Sequence, residues 1–249
     1  PPDQRREDGL CLTFDAPAVA DPVEIVGNPR VTLSVAADQP LALVAVRLCD
    51  VAPDGSSLQV SKGVLNLTHR DGHEDPEPLE PGEFYQVEIK LDVAGHRLLP
   101  GHHWRLAVSP TYWPMAWPSP RAVTLRVRTG ENSCLHLPVR PPQPGDAELS
   151  PFPEPERCPA MPHEERRPER RTRTVEEDVG EGRLDIHDLS DHGCTYLKGT
   201  GLEAYSQIED HFTIFEDEPL SASVTCTGEA GLRRDDWDVR AETDSHMTA

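Results

Sequence analysis

No apolar run in these 249 residues approaches the roughly 18 needed for a helix to cross a bilayer, and the opening PPDQRREDGL has none of the build of a signal peptide. Basic residues are few. Lys and Arg number 24 against 44 Asp and Glu, a formal net charge of -20, which argues against nucleic acid or an anionic membrane as partner, since both require clustered cations. Aromatic residues make up only 5% of the chain, so any core is lean. The six cysteines are scattered and form no CxxC pair of the kind a zinc ribbon needs. Isolated thiols without an export signal predict reduced cysteines and a cytoplasmic location. Also missing are the Gly-x-Ser-x-Gly elbow of a serine hydrolase and a Gly-rich phosphate loop. No catalytic residue and no cofactor is expected from the sequence. A start at Pro1 instead of methionine suggests a piece of a longer chain.

What the chain does have is proline, 26 residues of it, and alternation. Tyr85, Val87, Ile89 and Leu91 alternate with Gln86, Glu88 and Lys90, the period-two pattern of a strand with one apolar and one wet face. Similar alternation marks Leu10 to Phe14, Val31 to Val35, Trp104 to Val108 and Val123 to Val127. Leu41 to Val51 is a longer apolar run broken only by Arg47 and Asp50, which predicts a central strand covered on both faces. Turn pairs separate the runs at Asp54-Gly55, Asp71-Gly72, Pro81-Gly82 and Pro100-Gly101. Roughly eight strands in about 140 residues, without a 3.6-residue period, predict an all-β fold: a jelly-roll β-sandwich over 1–140, with a β-barrel as alternative.

Residues 141–171 are dominated by prolines and charges and read as a linker or strap, its basic cluster at Arg166, Arg167, Arg170, Arg171 and Arg173 interleaved with glutamates. Alternation returns over 172–249, in Leu184 and Ile186, Tyr205 to Phe215, Leu220 to Cys226 and Trp237 to Ala241. A second, smaller β-rich module is expected there. It is acidic: from Asp146 onward 26 Asp and Glu face 11 Lys and Arg, a net of -15.

The histidines invite a metal reading that the pattern does not support. His102 and His103 are adjacent on a strand and point to opposite faces, while His69 and His73 flank a turn. No metal site is assigned, and the carboxylates of Glu176 to Asp191 lack the order of a calcium loop. Ser56 and Ser57 follow Asp54-Gly55 as part of a hairpin turn. One segment differs from the rest. Ser109 to Pro118 gathers Tyr112, Trp113 and Trp117 among prolines that keep the backbone out of a sheet, an aromatic loop suited to contact with a ligand or another domain, or to packing over its own sandwich.

The order of motifs from Leu12 to Pro120 resembles the C-terminal domain of the X-Pro dipeptidyl peptidase and cocaine-esterase-like serine hydrolases. The resemblance is carried by LTF from Leu12, VRLCDVAPDG from Val46, GVLNLTHRDG from Gly63, PEPLEPGEFYQVEIKL from Pro76 and HRLLPGHHWRLAVSPTYWP from His96. It implies a galactose-binding-like jelly roll that follows a catalytic α/β-hydrolase domain and helps wall its cleft. The family's Ser-Asp-His triad falls on no residue of this sequence. By that resemblance Tyr112, Trp113 and Trp117 would lie toward the cleft and contact the hydrolase domain, with no oligomeric state implied. Fold analogy leaves a carbohydrate-binding module open, and the acidic second half leaves a pure interaction module.

Overall fold

Ten short strands make up the first part of the chain in the computed structural model, which describes residues 3–249. They are β1 (Leu12–Asp15), β2 (Val23–Gly27), β3 (Arg30–Ala37), β4 (Leu43–Val51), β5 (Ser57–Asn66), β6 (Tyr85–Lys90), β7 (Ala94–Leu98), β8 (His103–Ser109), β9 (Leu125–Arg128) and β10 (Cys134–His136). All pairings are antiparallel. One sheet runs β1-β8-β4-β5, and a second runs β10-β3-β6 with β9 also on β3; β2 pairs with β7. Val44, Val46 and Leu48 of β4 meet Val31, Leu33, Val35, Val87 and Ile89 from the other sheet in one core, so the unit is the β-sandwich that the alternation predicts.

All nine residues of β4 are buried, as its long apolar run suggests. The strand is central, with β8 on one side and β5 on the other. Its core-facing side chains alternate with Ala45, Arg47, Cys49 and Val51 on the sheet's outer face, and two segments cover that face: a one-turn helix α1 (Arg5–Asp8) and the loop after β8. Turn chemistry behaves as expected at Asp54-Gly55. Gly55 takes φ +83, and Asp54 Oδ1 accepts the Ser56 N–H at 2.9 Å.

The chain divides into two compact units, the first ending at Leu149 and the second spanning Ser150–Ala249. The second is one antiparallel sheet of six strands: β11 (His163–Arg167), β12 (Arg170–Asp178), β13 (Arg183–Leu197), β14 (Leu202–Phe215), β15 (Glu218–Arg234) and β16 (Trp237–Thr248). Both β11 and β12 pair with β13, and the order then continues through β14 and β15 to β16. Strand β11 and the start of β12 therefore lie inside 141–171, the stretch expected to be linker. An outer strand exposed on both faces needs a backbone partner and no apolar period, so its composition hides it.

This second sheet is two-faced. Along β16, Trp237, Val239, Ala241, Thr243, Ser245 and Met247 share one side, and Asp238, Arg240, Glu242, Asp244, His246 and Thr248 the other. Register extends the division across the sheet. Val175, Ile186, Phe212, Val224 and Met247 stand directly opposite one another over five strands, and the neighbouring row, on the reverse face, is Thr174, His187, His211, Thr225 and His246. No helix among the described residues is long and apolar enough to cross a membrane.

Candidate functional site

The aromatic loop leaves β8 at Ser109, whose Oγ accepts the Thr111 N–H at 3.2 Å. Pro110, Pro114 and Pro118 remove backbone donors and fix φ, so no strand forms before β9. A turn closes where the Ala116 N–H donates to the Tyr112 carbonyl at 2.8 Å. Tyr112 anchors the loop to β5: its hydroxyl donates to Gln59 Oε1 at 3.2 Å, and Lys62 Nζ sits 5.5 Å from its ring centre. Burial pushes the Tyr112 phenol above its ordinary pKa, with the Arg47 charge pulling the other way. The Trp113 and Trp117 rings meet edge to face, 5.2 Å between centroids. All three aromatics are half-buried, and Met115 between them is 64% exposed. The loop thus brings together the three residues singled out from the sequence, in part packed on the sandwich and in part open to solvent.

Beside it lies an ionic cluster that sequence reasoning missed. Arg47 Nη2 donates to Asp8 Oδ1 at 3.0 Å and Nη1 to Gln4 Oε1; Ser57 Oγ donates to Asp8 Oδ2 at 2.7 Å. Arg47 and Asp8 are each 4% exposed. Arg105 extends the cluster, reaching Asp8 Oδ2 at 3.3 Å and gripping both oxygens of Asp15 at 2.7 and 2.8 Å. That grip holds the Asp15 carboxyl below the usual aspartate range. The available signal was a lone arginine inside an apolar run, which demands a counter-charge. What could not be read was that RRED, forty residues earlier, supplies it.

The other polar groups are occupied structurally. Asp50 takes His96 Nε2 at 2.8 Å on one oxygen and His102 Nδ1 at 2.7 Å on the other, while His103 points to the opposite face, 3.7 Å from Asp15. His69 and His73 contact each other through Nδ1 at 2.9 Å. Ser56 Oγ donates to Asp54 in the turn, and Ser57 is buried against Asp8, so neither is a free nucleophile. Burial pushes the Cys49 thiol up to about 11. A cleft of about 260 Å3 opens at the sandwich seam between β1/β8 and β3/β9/β10, with Phe14, Leu33, Trp104, Leu106, Val127 and Leu135 among its walls. Its lining is mostly apolar, and Trp104 is 5% exposed, unlike the open aromatic platform flanked by polar groups that sugar stacking requires.

The first unit is similar to a domain of known proteins. Residues 2–146 match the profile of the X-Pro dipeptidyl-peptidase C-terminal non-catalytic domain. The chain is 31% identical over 118 residues to cocaine esterase of Rhodococcus sp. (strain MB1 Bresler), covering 46% of this chain and 20% of that protein. It is 26% identical over 122 residues to Xaa-Pro dipeptidyl-peptidase of Pediococcus pentosaceus, covering 35% and 15% respectively. Among solved structures, an α-amino acid ester hydrolase superposes with a TM-score of 0.53 at 27% identity, over 55% of this chain and 27% of the other. The chain therefore spans only 15–20% of the length of these curated relatives.

Proposed function

The chain belongs to the family of X-Pro dipeptidyl-peptidase C-terminal non-catalytic domains, and from that premise we propose that its first unit packs on an α/β-hydrolase domain of the same parent protein and shapes the entrance to its cleft. The parent is then a serine hydrolase of esters or amides, and its triad lies outside this sequence. The contact is the loop Ser109–Pro118. The observation that carries the assignment is the condition of Tyr112, Trp113 and Trp117: the proline-bound loop is held in place through Tyr112 and Gln59, yet the aromatics remain half-exposed beside an open Met115. A preformed aromatic surface lowers the ordering cost of association, and buried Trp and Tyr anchors contribute about 2 kcal/mol or more each at such contacts.

The test is a Trp113→Ala/Trp117→Ala double variant titrated against the separately produced hydrolase domain. Affinity is expected to fall by at least about tenfold, roughly 1.4 kcal/mol, while the far-UV spectrum of the variant stays that of the parent. Tyr112→Phe, which removes only the hydrogen bond to Gln59, should weaken binding less. Unchanged affinity in the folded double variant would remove the loop from the interface.

A further inference from the structure

We propose that the second unit is a pairing module, in which the apolar face of its sheet is covered by the same face of a second copy of this chain. The inference is independent of the role assigned to the first unit. It begins from a deficit of core. Of the hydrophobic residues in Ser150–Ala249, only Ile186 and Ala222 are buried among the described residues, and a single sheet with so little interior needs a second layer. The side that lacks a layer is identifiable. Ile208, Leu232, Val239 and Met247 are 45%, 40%, 47% and 58% exposed, and strand parity puts all four on the apolar face.

Two observations favour a second copy as the occupant. The first is charge. The net of -15 carried from Asp146 onward would oppose self-association if it lay in the contact, but along β16 every charged residue is on the reverse face. Four acids fall on the apolar side, Glu165, Glu177, Asp188 and Asp210, against Arg171, Arg173 and Arg234, so that side is close to neutral, and Asp188 accepts from Arg173 at 2.8 Å. The second is size. Five strands about 4.8 Å apart, each about twelve residues at ~3.3 Å, give a face of roughly 20 by 40 Å, on the order of 800 Å2. That is about what each partner contributes to a stable interface. Two identical sheets also share one twist, the condition for aligned face-to-face packing. A basic partner, by contrast, would be drawn to the reverse face.

The chain should therefore sediment at twice the mass of one copy at micromolar concentration. Ile208→Lys, at an exposed position on the central strand β14, should return it to single-chain mass with the far-UV β signal retained. Met247→Lys on the outer strand should weaken pairing by at least tenfold, and Thr227→Asp, on the charged face, should leave it unchanged. Single-chain mass for the parent at every concentration overturns the proposal. So does a dimer that survives both lysine variants, or a single chain whose apolar face becomes protected only when the hydrolase domain or zwitterionic lipid vesicles are added.

Discussion

Replacing Asp8 by asparagine removes one charge from a site that is 4% exposed and surrounded by three donors, Arg47, Ser57 and Arg105. Asparagine keeps the shape and one carbonyl acceptor. What it cannot do is balance the Arg47 guanidinium, which is equally buried and whose other contacts, Gln4 and Cys11, are uncharged. Removing one partner of a buried pair costs about 3–5 kcal/mol, because the remaining charge stays desolvated without its counter-ion. For a unit of this size, each kcal/mol moves the melting temperature by roughly 2–4 °C. The expected fall is thus about 6–20 °C, a large share of a typical stability of about 5–15 kcal/mol. Urea unfolding followed through the fluorescence of Trp104, Trp113 and Trp117 reads it directly. The double variant Asp8→Leu/Arg47→Met, which deletes both charges, should be more stable than Asp8→Asn alone. As a control, the pair Arg30–Glu88, with both side chains more than half exposed, should contribute less than about 1 kcal/mol. If Asp8→Asn lies within about 1 kcal/mol of the parent, the buried pair does not hold α1 on the sheet and the reasoning fails.

Thiol chemistry should separate the cysteines by burial. Cys134 and Cys158 are exposed and should react promptly with an aromatic disulfide at about pH 8, whereas Cys49, fully buried with its thiol pushed up to about 11, should react only as the first unit unfolds; prompt loss of the Cys49 thiol would contradict that. Acid should loosen the first unit in a defined window. Arg105 holds the Asp15 carboxyl below its ordinary 3.8, and Arg140 holds Asp146 at about 2. A depressed folded pKa stabilises where the carboxylate is ionised in both states, so this contribution is complete above the unfolded value and is lost as pH falls from 3.8 toward about 2. The urea midpoint should drop across that range, less steeply in Asp146→Asn, and identical profiles for the two proteins would count against the assignment.

The β class of both units was legible in the residues because strand burial has a period of two and turn chemistry is local. Tyr85 to Leu91 and the glycine at position 55 report on themselves and their neighbours. The family likeness was legible for a similar reason, since ordered motifs survive as strings. The aromatic loop could be singled out by composition, although how far Tyr112, Trp113 and Trp117 are buried could not. Strand β11 and the start of β12 escaped notice because an outer strand exposed on both faces carries no apolar signature. Only the tertiary structure decided which distant residues meet. Arg47 takes Asp8 across 39 positions, and Asp50 takes His96 and His102 across 46 and 52, pairings set by strand order and register. The two-faced character of the second sheet depends in the same way on β13 to β16 pairing so that their alternations coincide. A slip of one residue in any pair would send apolar side chains to the charged face, and no stretch of sequence read alone contains that register.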